Sequence, residues 1–145
     1  MKITMMLADA VQAADGKLFI LGGGWSVTGP KPTPGAIAMM IEVPWDLANQ
    51  RHTWRLELED EDGRAVRLES EGGTQDGITI AGEFEVGRPP GLRPGTPLDV
   101  PLAINYGPIP FPPGRRFVWR LSLNDLSQDD WYLAFATRPA AEPKA

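Results

Sequence analysis

The sequence predicts an all-β chain built as a two-sheet antiparallel β-sandwich, immunoglobulin-like or related, with about eight or nine short strands. Three observations carry that expectation. Apolar and polar residues alternate with a period of two in segment after segment, which puts every second side chain on one face of a strand. Glycine (16) and proline (15) are abundant in the 145 residues and fall between the alternating segments, where strands need turns. Helical periodicity is almost absent. A closed β-barrel is the alternative, because strand number alone does not separate it from a sandwich.

Taken in order, residues 3–10 and 17–25 flank Asp15-Gly16, a pair suited to the positive φ of a tight hairpin turn. Residues 44–50 hold the one helical candidate, a single turn with Asp46 placed to cap it, too short to be more than a connector. Residues 53–59 put Trp54, Leu56 and Leu58 on one face, with Thr53, Arg55, Glu57 and Glu59 on the other. Asp62-Gly63 then turns the chain towards residues 65–68. Residues 78–86 alternate Ile78, Ile80, Phe84 and Val86 with Thr79, Glu83 and Glu85. Leu98, Val100, Leu102, Ile104 and Tyr106 alternate with Asp99, Pro101, Ala103 and Asn105. Proline cannot donate to a central ladder, so Pro101 marks an edge or a bulge. Phe117, Trp119, Leu121 and Leu123 follow the same rule, and Trp131, Leu133 and Phe135 close the series.

Proline-rich stretches at 30–34, 88–97 and 107–114 read as stiff connectors between strands. The expected organisation is one sandwich domain over residues 1–137 and a flexible C-terminal tail over 138–145. A net charge of −5 and a pI near 4.8 argue against nucleic acid or an anionic membrane surface as partner. The absence of cysteine removes disulfides, thiolate nucleophiles and Cys-ligated metals. The apolar run of residues 3–8 is shorter than a working signal segment. A soluble cytoplasmic protein is the expectation.

Motifs for chemistry are sparse. The single histidine, His52, reads as an exposed loop imidazole beside Arg51. Asp60, Glu61 and Asp62 in one turn, with Asp125, Asp129 and Asp130 in another, would make a calcium rim only if both turns met at one end. Solvated turns that bond their own backbone are the commoner reading. Gly22-Gly23-Gly24 lacks the helix that a phosphate cradle requires, and fits a bulge or a close backbone approach instead. Trp54, Trp119 and Trp131 fall on inward parities. Trp25 and Trp45 fall at strand ends or in loops, where they would cover the sandwich or stack on a ligand such as a sugar.

Three segments break the alternation: residues 5–8, 18–21 and 38–41 are apolar without interruption. With Ile3, Met5 and Leu7 inward, Met6 faces out; with Ile37, Met39 and Ile41 inward, Met40 faces out. A strand apolar on both faces is covered on both faces. Met6, Phe19, Leu21 and Met40 are therefore the expected interface with a second copy of the chain. A loop over residues 26–35 folding across this face is the alternative.

The runs Leu7-Ala8-Asp9-Ala10 and Asp15 to Trp25, with Glu42-Val43-Pro44-Trp45-Asp46 and Pro110 to Arg115, resemble a bacterial family of small β-rich proteins known only as a domain of unknown function. The likeness spans about residues 5–137. It implies the β-rich single domain and brings no catalytic or binding residues with it. The last hairpin, residues 116–137, also resembles the closing strands of many immunoglobulin-like domains. The expected function is non-catalytic: a protein-interaction or assembly module that self-associates, with no cofactor and no metal. The alternative is a small-molecule or carbohydrate-binding sandwich using Trp25 and Trp45, and a hydrolase on turn carboxylates stands behind both.

Overall fold

A computed structural model describes residues 1–70 and 73–140, with side chains throughout except at 69–70 and 73–76. The last five residues of the expected tail, 141–145, lie outside the described residues. In chain order the strands are β1 (Lys2–Ala8), β2 (Ala10–Ala14), β3 (Lys17–Leu21), β4 (Val27–Thr28), β5 (Gly35–Val43), β6 (His52–Asp60), β7 (Arg67–Ser70), β8 (Gly73–Asp76), β9 (Thr79–Phe84), β10 (Leu98–Tyr106), β11 (Arg116–Leu123) and β12 (Tyr132–Thr137). One 3₁₀ turn, Trp45–Leu47, stands where the single helical turn was expected; Pro44, not Asp46, precedes it, and no side chain caps it.

Two sheets stack face to face. The smaller has the order β1-β5-β10 and the larger β4-β12-β11-β6-β9, with all pairs antiparallel except β12 with β4. Neither sheet closes on itself, so the sandwich holds and the barrel does not. The alternating residues meet between the layers: Ile37, Met39, Ile41 and Val43 from one sheet, Leu56, Leu58, Phe117, Trp119 and Leu121 from the other, all essentially without solvent exposure. Each such side chain contributes on the order of 1.5–3 kcal/mol relative to an exposed position. Trp54 and Trp131 are buried as their parity requires, and Pro101 lies on the edge strand β10.

The N-terminal segment departs from the expected hairpin. Asp15 and Gly16, with φ of 52° and 71°, do make the tight turn, but it joins β2 to β3. Strand β1 pairs with β5 instead, Lys2 opposite Glu42 through Ala8 opposite Ala36. The break falls at Asp9, an exposed residue whose N–H donates to Leu21 O, while Gly24 N–H donates to Leu7 O at 2.6 Å. The chain leaves the sheet there, and β2-β3 folds back across the outer face of the three-stranded sheet. Val11 packs on Ala8, Ala36 and Ala38, with Leu18 and Ala103 beside them. That row of alanines is the reason a second layer fits: small side chains let the hairpin lie close. The doubly apolar character of β5 thus has an internal cause at this end of the sheet, a hairpin where the 26–35 loop was the alternative.

Strand β7 overlaps the 65–68 segment expected after the Asp62-Gly63 turn and pairs with β8 in a small separate hairpin. Strands β4, of two residues, and β8, of four, are too short to show a period in the sequence.

Candidate functional site

The exposed apolar surface concentrates on the hairpin that lies over the small sheet. Antiparallel register pairs Val11 with Ile20 and Ala13 with Leu18 on the sheet side, and Ala10 with Leu21 and Gln12 with Phe19 on the far side. Phe19 is 53% exposed and Leu21 71%. Ile20, on the sheet side, meets Met6 over Gly23: a Cβ on Gly23 would lie 2.7 Å from Ile20 Cγ2 and 2.9 Å from Met6 Sδ. Among the described residues β3 pairs only with β2, so its other edge is free.

The expected interface residues therefore occupy two levels. Phe19 and Leu21 crown the hairpin. Met6 and Met40 lie beneath, on the outer face of the sheet, Met6 opposite Ala38 and Met40 between Thr4 and Pro101. Met6 remains exposed and Met40 is half-buried.

The hairpin is fixed by a residue far away in sequence. Asn105, on the outer face of β10, accepts from Val11 N–H through Oδ1 at 3.1 Å and donates from Nδ2 to Val11 O at 2.9 Å. One carboxamide thus satisfies both backbone groups of Val11 and holds the hairpin at a set height above the sheet.

Trp25 and Trp45 sit at opposite ends of the sandwich. Trp25 follows Gly24, which bonds to Leu7, and packs edge-on against Phe135 with centroids 5.9 Å apart. Trp45 lies just beyond the other end of β5. Eight residue steps of β5 span about 26 Å, too far for one small ligand to touch both rings. The outer face of Trp45 is also occupied, because the Arg88 guanidinium lies 4.7 Å from its ring centroid and Arg88 Nη2 donates to Trp45 O at 2.8 Å.

His52 is not the exposed imidazole expected. It is buried at 3% exposure at the start of β6, tilted against Phe84. Thr53 N–H donates to Asn124 Oδ1 at 3.0 Å, which fixes the orientation of that carboxamide. Asn124 Nδ2 then donates to His52 Nδ1 at 3.0 Å, so His52 carries its proton on Nε2 and donates to Leu47 O at 2.9 Å. Both ring nitrogens are engaged in holding three segments together, a structural task.

The acidic turns do not converge. Register places Asp60 opposite Phe117, at the start of β11, whereas Asp125 follows the far end of that strand, where Leu123 lies opposite Trp54. The Asp60 carboxylate accepts from Arg64 N–H and Asp62 N–H, and those bonds, the Arg64 one foremost, hold its pKa below the ordinary value. Its role is to close its own turn. Glu83 and Asp125 do share a hollow of about 430 Å³ on the outer face of the large sheet, but Arg55 lines it as well and Glu83 is paired with Arg51 at 3.5 Å.

A family of unknown function, DUF6941, matches residues 3–135. The chain belongs to the DUF6941 family. The match runs from β1 into β12, so the sandwich, the folded-back hairpin and both tryptophan ends all belong to the DUF6941 unit. No curated protein and no solved structure matches the chain. No helix among the described residues is long and apolar enough to cross a membrane.

In this DUF6941 chain the alternation exposed Phe19 and Leu21 to notice, but not Ile20 or Asn105. Ile20 was hidden by the assumption that β1 and β3 pair. Asn105 looked like any outward polar residue on a half-wet strand, and only the position of β2 gives it a partner.

Proposed function

We propose that the chain is a non-catalytic assembly module that associates with a second copy of itself along the free edge of β3. The observation that carries this reading is the exposure of Phe19, Ile20 and Leu21 on a strand with one unpaired edge. An apolar edge of that kind is a template for another strand, and proteins ordinarily blunt it with charge or proline. Lys17 is the one charge on β3, at the end opposite Leu21. Antiparallel pairing of β3 with its own copy sets Lys17 beside Leu21 of the second chain, so the two lysines do not oppose each other. The arrangement is two-fold and self-complementary, and it closes after two copies. Phe19 and Leu21 then form a continuous apolar strip with their counterparts, flanked by Met6 and Met40 below. A cytoplasmic setting accompanies this reading, supported by a chain that uses no cysteine.

Light scattering coupled to size exclusion tests it. The expected mass at micromolar concentration is twice the 15.8 kDa of one chain. Phe19→Lys with Leu21→Lys, both exposed, is expected to give a folded monomer with an unchanged circular dichroism spectrum. A wild-type monomer would overturn the proposal, and so would a dimer indifferent to both lysines.

A further inference from the structure

His52 is the one histidine of the chain, and its hydrogen bonds have a fixed polarity. Thr53 N–H donates to Asn124 Oδ1, which turns Nδ2 of that carboxamide towards His52 Nδ1. Nδ1 accepts there, and Nε2 donates to Leu47 O. The neutral ring thus meets one donor and one acceptor, each matched, at a buried position. It joins the start of β6, the 45–47 turn and the tight turn after β11. In that last turn Asn124 and Asp125 are both left-handed, and Leu126 N–H donates to Leu123 O at 2.9 Å.

A proton added to Nδ1 finds no acceptor. It faces the Asn124 Nδ2 group, donor against donor at 3.0 Å. Turning the carboxamide over brings Oδ1 to the imidazolium but sets Nδ2 against Thr53 N–H, so the conflict moves and is not removed. The Nε2 side behaves differently. A carbonyl accepts from imidazolium as well as from imidazole, and the bond to Leu47 O becomes charge-assisted.

The surrounding charges do not relieve the conflict. Arg51 precedes the ring and pairs with Glu83 of β9 at 3.5 Å. On β9 the ring meets Phe84, which Glu83 and Glu85 flank in the chain. Asp46 lies in the 45–47 turn and Asp125 follows Asn124, while Met1 and Asp129 border the hollow that Leu47 and Asn124 line. Among the described residues none of these carboxylates pairs with the imidazole.

We propose that His52 and Asn124 form an acid-opened latch. Protonation of Nδ1 expels the Asn124 carboxamide and frees the 124–126 turn from the start of β6, while the 45–47 turn stays bound through Nε2. Water then reaches Thr53 N–H and Nδ1–H, which the closed arrangement leaves without enough acceptors. The release also opens one wall of the hollow of about 570 Å³ at this end, whose apolar lining includes Leu47, Leu126 and Trp131. The latch lies at the Trp45 end of the sandwich and does not depend on how β3 associates.

The test follows the ¹⁵N-labelled full chain by NMR from about pH 8 to about pH 5.5, which brackets the ordinary imidazole range near 6.5. At the upper value Nδ1 is expected to be bare and Nε2 protonated; at the lower value both are expected to carry protons. Thr53 N–H donates to Asn124 Oδ1 and Asn124 N–H to Thr53 O, so these two amides report on the turn. Their protection from exchange is expected to fall about tenfold or more, the effect of an unmatched buried donor. Ala48, whose N–H closes the 45–47 turn, is expected to keep its protection, as are Leu56 and Trp119. Asn124→Asp sets a carboxylate oxygen against Nδ1, an acceptor for the added proton, and is expected to remove the acid loss at Thr53. Thr53 protection that stays flat, whether or not Nδ1 gains its proton, would overturn the proposal. So would a loss shared equally by Leu56 and Trp119, or one that persists in Asn124→Asp.

Discussion

Asn105 holds Val11 by both of its backbone groups although 94 positions separate them in the chain. That contact joins the edge strand of the small sheet to the hairpin above it. It also converts what would be a conventional two-layer sandwich into one with a partial third layer. The covering hairpin is what lifts Phe19 and Leu21 into solvent and, among the described residues, leaves the far edge of β3 unpaired. The exposed apolar face of the hairpin is therefore a consequence of one carboxamide on β10 as much as of the apolar run in β3.

Asn105→Ala is expected to loosen the hairpin and leave the sandwich intact. Two hydrogen bonds are lost, and Val11 is left with unpaired backbone groups, a cost on the order of 1–3 kcal/mol. Amide exchange at residues 10–21 is expected to accelerate while that of Leu56, Trp119 and Leu121 keeps wild-type protection. Uniform acceleration across both sets would show that the hairpin is not a separate unit. Asn105→Asp is expected to be as harmful, since it preserves an acceptor for Val11 N–H but turns an oxygen towards Val11 O.

Asn124 combines a left-handed backbone, φ 50°, with a side chain that serves both Thr53 N–H and His52 Nδ1. Two substitutions separate those roles. Asn124→Gly keeps the backbone comfortable and removes the carboxamide, which leaves a buried imidazole nitrogen unsatisfied at about 1–3 kcal/mol. Asn124→Ala adds a strained φ, about 1–2 kcal/mol more. Thermal melts are expected to rank wild type above Gly above Ala, and an Ala variant at least as stable as Gly would contradict the account of the backbone.

Gly82 is a glycine for reasons of space, whereas Gly16 is one for reasons of φ. A Cβ at Gly82 would lie 2.7–2.8 Å from the indole of Trp54, which covers it across the β6–β9 pair. At Gly16, φ is 71° and nothing lies within 4 Å. Gly82→Ala is expected to cost about 1–3 kcal/mol through overpacking and to perturb Trp54 fluorescence. Gly16→Ala is expected to cost about 1–2 kcal/mol through the left-handed backbone, with no change in any tryptophan signal.

The layers were legible in the sequence because burial on one face of a strand writes a period of two, and Trp54, Leu56 and Leu58 or Phe117, Trp119 and Leu121 write it plainly. The outward polarity of Met6 and Met40 followed from the same rule. What could not be read was which strands pair. Residues 3–10 and 17–25 flank a sound hairpin turn, and nothing in their alternation announces that Asp9 ends one strand and that a new one starts at Ala10. Nothing in the sequence around His52, with the charged Arg51 beside it, marks the imidazole as buried. Its burial depends on Asn124, Leu47 and Phe84, three contacts that come together only in the folded chain.

Tyr106 gives the protein an alkaline limit with a definite sign. Its pKa rises from 10.0 in the unfolded chain to about 12 in the folded one, because burial disfavours the phenolate. Between those values the unfolded state has released the proton and the folded state has kept it. The unfolded state therefore binds fewer protons, and stability falls as pH rises. The contribution is complete below pH 10.0 and is lost progressively as pH climbs through about 12. Urea melts over this interval are expected to show a steeper loss of stability for wild type than for Tyr106→Phe, which has no proton to release. Phenolate absorbance in a Tyr132→Phe background, where Tyr106 is the one remaining tyrosine, is expected to rise near 12. A rise near 10 would mean that the phenol is solvated.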